Sequence, residues 1–140
     1  MWKNFKKNIN KSLILYLISL GVIFFIFIFL ISVNIIGYSV KNKCKIAQQK
    51  YNGDCVEALI SYLKDEKNDY YSRNSAIWAL GQLGDNRSLE TLQSYYTEFK
   101  GEKCNRSKEL SQLELQRAIG YMEDNPNITT FFWRFGNGIN

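Results

Sequence analysis

The chain has 140 residues, of which 46% are hydrophobic and 15% aromatic, with a formal charge of +5 and a pI near 9.1. It contains no histidine, which removes the commonest base near neutral pH and the commonest transition-metal ligand. The basicity suggests nucleic acid, but its distribution takes most of that support away. Lys3, Lys6, Lys7 and Lys11 stand together with no acid beside them, and the other 14 Lys and Arg nearly balance 13 Asp and Glu.

Residues 1–12 read as a basic tail, with Trp2 and Phe5 suited to headgroup depth. Residues 13–36 follow, an uncharged run of 24 in which Ser19, Ser32 and Asn34 are the clearly polar members. As a helix this run reaches about 36 Å, more than the roughly 30 Å hydrocarbon core of a bilayer. Phe24, Phe25, Phe27 and Phe29 put bulky apolar groups on every side, so no stripe is left for water. The run exceeds the 7–15 residues typical of a cleaved signal peptide, and no small-residue cleavage site follows it. An uncleaved anchor over residues 13–40 is predicted. Lysines flank both ends, and the short basic tail is assigned to the cytoplasm, with the domain outside.

Residues 41–53 predict a juxtamembrane continuation, with Cys44, Ala47 and Tyr51 on one helical face and Asn52-Gly53 as its stop. Asp54 and Glu57 have capping-box spacing, and Val56, Leu59, Ile60 and Leu63 form the apolar stripe of the next helix. Ala76, Ile77, Leu80 and Leu83 form a second stripe that ends at Gly84. A third helix is expected over residues 87–99, with Leu89, Leu92, Tyr95, Tyr96 and Phe99 as core. Helices this short are unstable alone, so they are expected to stack as antiparallel pairs over residues 54–124. Residues 125–140 begin after a proline break and hold Phe131, Phe132, Trp133 and Phe135, which either cover the open end of the stack or present an aromatic anchor.

Ala58-Leu59, Leu63, Asp65, Arg73, Ala76, Ala79-Leu80-Gly81, Leu83-Gly84-Asp85, Leu89 and Leu92 together resemble a HEAT repeat of the phycobilisome-lyase type. A weaker echo, Ala118-Ile119-Gly120-Tyr121-Met122-Glu123-Asp124, lies 39 positions after the first, with Gln112 at the arginine position and Glu123 at the closing glycine. With the apolar run, the resemblance gives an expected all-α fold: a single N-terminal transmembrane helix read from the run, then a short α-solenoid of about two HEAT-like helical hairpins. It also implies that inner helices line a concave recognition face. Arg73, Asn74, Trp78 and Gln82 would lie on that face, and Trp133 is a further candidate contact. Arg73 has a competing structural role, pairing with Asp65 or Asp85.

The cysteines Cys44, Cys55 and Cys104 have no metal-site spacing. They are either small core residues or one disulfide of open pairing plus a free thiol. Glu102 with Glu109, or Asp65 with Glu66, can be drawn as carboxylate pairs, but turn charges are ordinarily solvated and neither pair is placed in a site. No catalytic, cofactor or metal residues are therefore assigned, and no small-molecule substrate is evident. The expected function is a non-enzymatic, single-pass membrane scaffold that binds a protein. The alternatives are a lipid-surface element acting through Lys41, Lys43, Lys45 and the aromatic tail, or a relative of the bilin lyases.

Overall fold

The computed structural model describes residues 11–98, 101, 105, 107–123, 130, 132 and 133. The basic tail before Lys11, together with Phe99, Cys104, Phe131 and Phe135, lies outside them. Among the described residues the regular structure is helical: α1 (Lys11–Gln48), α2 (Cys55–Lys64), α3 (Tyr70–Leu83), a 3₁₀ turn (Asn86–Ser88), α4 (Leu89–Tyr95) and α5 (Gln112–Glu123). The fold is all-α, a long apolar N-terminal helix followed by two short helical hairpins, α2–α3 and α4–α5.

Helix α1 runs without interruption through residue 40, so the expected anchor and juxtamembrane helix are one element. Its two ends meet different surroundings. Residues 11–28 are exposed all round, and Phe29 is the first to be partly covered. From there one face is buried, through Val33, Gly37, Val40, Cys44 and Ala47, at alternating four- and three-residue steps. That spacing is the period of a helix packed against helices, and α2 and α3 supply the partner surface. The helix ends at Gln48, earlier than the predicted Asn52-Gly53 stop, because the N–H groups of Lys50 and Tyr51 both turn back to the Ala47 carbonyl. Tyr51 thus leaves the helix but still packs against the core.

Gly53 serves the next helix. It has φ +117°, and a Cβ there would strike the Glu57 side chain. That room lets Glu57 accept from the Asp54 N–H at 3.1 Å while Asp54 accepts from the Glu57 N–H at 2.9 Å, completing the predicted capping box. Asp69 caps α3 through Ser72, and Gly84 closes it in the left-handed conformation at φ 59°. The third helix is shorter than expected: Asp85 caps the 3₁₀ turn, α4 follows, and the chain is extended again at Tyr96. The Thr97 N–H is taken by the Gln112 side chain, which also donates to the Tyr95 carbonyl. Leu92 is nevertheless fully buried, and Leu89, Tyr95 and Tyr96 pack on the core.

Leu59, Leu63, Ile77, Leu80, Leu92 and Leu115 form the centre of a single core. Each withdrawn side chain contributes about 1.5–3 kcal/mol. Helices α3 and α5 approach most closely at Gly81, where a Cβ would come within 2.8 Å of the Ala118 Cβ and 2.9 Å of its Cα. Gly81→Ala is therefore expected to cost about 1–3 kcal/mol through forced separation of the helices. Gly120 has open space, so Gly120→Ala should stabilise by up to about 1 kcal/mol through helix propensity. Chemical denaturation followed by circular dichroism distinguishes the two.

Three carboxylates make the fold acid-sensitive. The Glu57 N–H and then Arg87 hold the Asp54 carboxyl below the usual range. Tyr51 and the Lys67 N–H do the same for Asp65, and Ser72 for Asp69. Because these groups bind protons more readily unfolded, their stabilisation is complete above about pH 5 and is lost as pH falls through the lowered values. Thermal melts between pH 6 and 3 should fall accordingly (on the order of the carboxylate range). A triple Asp→Asn variant at 54, 65 and 69 should flatten that acid limb.

Candidate functional site: a groove along α3

The predicted stripe on α3 is only partly a surface. Arg73, Asn74 and Gln82 are nine-tenths or more buried, and Trp78 between them is half-buried. Arg73 donates through Nε to the Leu63 carbonyl at 2.8 Å, and its guanidinium lies over the rings of Tyr70 and Tyr95. The acids proposed as its partners are otherwise engaged. Asp65 accepts from the Tyr51 hydroxyl at 2.6 Å and pairs with Lys50, while Asp85 pairs with Arg87. Arg73 therefore ties α3 to α2 through the Leu63 carbonyl and to α4 through the Tyr95 ring, with Tyr70 of its own helix beside it.

Asn74 is a bridge across 35 residues or more. Its Nδ2 donates to the Glu109 carbonyl at 2.9 Å and its Oδ1 accepts from the Ser111 N–H at 2.7 Å, fixing the entry to α5. Gln82 accepts through its backbone carbonyl from the Thr130 hydroxyl at 2.7 Å, which places Thr130 against the end of α3. Trp133 is 1% exposed and part of the core, which turns it away from any partner. Of the five predicted contacts, Trp78 keeps an open face, and Asn74 and Gln82 contribute to walls.

Those walls enclose two adjoining clefts that share Trp78 and Glu114. One, of about 230 Å³, is lined by Lys43, Tyr71, Asn74, Ser75, Trp78 and Glu114. The other, of about 150 Å³, is lined by Trp78, Gly81, Gln82, Glu114, Arg117, Ala118 and Tyr121. They form a groove along α3, flanked by α1 on one side and α5 on the other. Glu114 is nearly buried and lies 3.6 Å from Arg117, whose side chain is half-exposed. The lining is thus an aromatic surface with Lys43 at one edge and the Glu114–Arg117 pair at the other. Tyr71, Glu114, Arg117 and Tyr121 escaped sequence reasoning because they come from α3 and α5 and share no local motif, and the sequence singles out Lys43 on α1 only for a lipid surface. Among the described residues, no group of three or more Cys, Asp and Glu is placed to hold a metal ion.

A second polar cluster fastens the end of α1 to the α2–α3 turn. Asn68 donates to the Tyr51 hydroxyl and the Tyr62 carbonyl and accepts from Lys50, which lies over the rings of Tyr51 and Tyr62. Arg87 likewise spans two helix starts, pairing with Asp54 at 2.6 Å and Asp85 at 2.9 Å. Asp85 and then Asp54 hold its guanidinium firmly in the charged form.

The family model described as PBS lyase HEAT-like repeat matches residues 72–97, the stretch from α3 through α4. Residues 72–97 are similar to a HEAT-like repeat. No curated protein and no solved structure matches the chain. In this stretch Arg73, Ala76, Leu80 and Leu83 face the core, Gly81 admits α5, and Trp78 is left for the groove.

The cysteine pairing is Cys44 with Cys55, eleven residues apart with Cα atoms at 4.9 Å, and it joins the packed end of α1 to the start of α2. Closing a loop of this length stabilises by about 3 kcal/mol in the chain-entropy treatment. Alkylation and peptide mapping without reductant should recover a 44–55 linked pair, and reduction should lower the melting temperature. A pair involving Cys104 would refute the assignment.

Proposed function

We propose that the chain is a membrane-anchored interaction module without catalysis of its own, in which α1 crosses a bilayer and the HEAT-like hairpins present the Trp78 groove to a protein. The observation that carries the anchor is the contrast within α1. Among the described residues nothing covers residues 13–28, whereas Val33, Gly37, Val40, Cys44 and Ala47 belong to the domain. Cleavage at the end of the apolar run would take Val33 out of the core and cut the helix that α2 and α3 pack against.

The polar groups of the apolar run suit lipid surroundings. Ser19 donates to the Tyr16 carbonyl, Ser32 to Ile28 and Asn34 to Leu30, so each is satisfied within its own helix. The Cys44–Cys55 bond favours an oxidising compartment for the domain, in keeping with a cytoplasmic location for the basic tail. The groove favours a protein ligand with an apolar anchor for Trp78 and an acid for Lys43, since Arg117 is paired with Glu114.

A photocrosslinking residue at Trp78, introduced into the membrane-embedded full chain, should give one discrete protein adduct. The same residue at Glu90, exposed on α4, should give none. Trp78→Ala should weaken recovery of that partner by about tenfold or more, the ordinary cost of losing an aromatic hot spot. Equal adducts from both positions, or none from either, would refute the groove as the binding face.

A further inference from the structure

We infer that the helical domain is seated in the membrane interface, with Phe132 as its lipid contact, rather than held clear of the bilayer on a stalk. The inference rests on α1 being a span, and adds the depth at which the domain begins.

The uncharged part of α1 lies between Lys11 and Lys41. A hydrocarbon layer of about 30 Å takes roughly 20 helical residues at 1.5 Å each. The placement nearest the N-terminus that keeps Lys11 out of the layer occupies residues 12–31. The placement furthest along occupies residues 21–40. Phe29 is inside the layer in both, and therefore in every placement between them. Tilting the helix lengthens the embedded segment and carries Phe29 deeper. Letting Lys11 extend its aliphatic stem upward shifts the layer by a few residues and leaves Phe29 at its edge.

Phe29 is also where the domain first covers α1. Its ring meets the Phe132 ring edge to face, with centroids 5.5 Å apart and planes at 88°. That contact fixes Phe132 at nearly the same depth, although the two residues are far apart in sequence. Phe132 is 46% exposed, while Trp133 beside it is buried in the core. The placement nearest the N-terminus leaves the most of the domain in water and puts Phe29 about two residues from the edge of the layer. In it the open half of the Phe132 ring lies at the boundary of hydrocarbon and headgroups, where an aromatic ring is favoured. Thr130, bonded to the Gln82 carbonyl, holds this segment to α3, so the seat and the groove move as one body.

The test uses the full chain in nanodiscs, with Cys104→Ser so that Cys44 and Cys55 stay paired. A single bimane is placed at Phe24→Cys, Phe132→Cys or Glu90→Cys, with fold and disulfide checked for each. Spin-labelled acyl chains should quench position 24 most strongly when labelled deep, and position 132 most strongly when labelled near the headgroup. Aqueous iodide should quench position 90 several-fold more than position 132. If position 24 reports lipid but positions 90 and 132 are equally open to iodide, the span stands and the seat is refuted. If position 24 is open to iodide, the span itself fails and the seat with it. The unmodified chain supplies an independent readout. Photoreactive acyl chains should label the peptide containing Phe132 as well as the apolar run, and labelling of the run alone would overturn the proposal.

Discussion

The packing of α1 against the first hairpin is the interaction on which the rest depends. One helix supplies both an apolar surface that none of the described residues covers and a strip of the domain core, and the change occurs within two turns, between Ile28 and Val33. Val40 is fully buried, and the Cys44–Cys55 bond and the Tyr51–Asp65–Asn68 hydrogen bonds close the seam at its far end. With so many ties, the domain cannot swing on a flexible linker. Its orientation is set by the direction of α1.

The second dependency is the approach of α3 to α5. A two-hairpin stack has little core, and it gains density by bringing backbones together at Gly81 and Ala118. The same contact opens the groove on its outer side, because Trp78, one turn before Gly81, is too large to enter the seam and remains on the rim. Core packing and the candidate binding surface thus come from successive turns of one helix. Arg73 and Asn74, which sequence reasoning places on the binding face, brace this geometry from inside through Leu63, Glu109 and Ser111.

Local chemistry was legible in the residues and long-range chemistry was not. Asp54 with Glu57, and Gly84 after Leu83, mark helix ends because their partners lie within four positions. The apolar run and the HEAT-like pattern are legible because periodicity repeats the same information many times. Arg73 defeats this reasoning because a guanidinium reads as a surface group, and only the Leu63 carbonyl and the Tyr70 and Tyr95 rings make its burial favourable. The cysteine pairing was equally hidden, since three cysteines allow three pairings and the turn after Gln48 selects one. The length of α4 depends on Gln112 capturing Thr97 from fifteen residues away.

The depth of the proposed seat would also constrain what the groove can meet. With Phe29 at or inside the hydrocarbon edge, Lys43 lies about 20 Å further along the helix axis. The headgroup layer takes up roughly a quarter to a third of that distance. In that seat the groove would open roughly 14 Å above the lipid headgroups, on a domain whose rotation and height are fixed by α1. A freely diffusing partner would gain nothing from such placement and would lose approach directions to the bilayer. A partner that is itself in the membrane shares the same height reference, and confinement to one layer raises its effective concentration at the groove. A modest cleft flanked by Lys43, Trp78 and Arg117 then suffices for stable association, because the membrane supplies the alignment that a larger interface would otherwise have to provide.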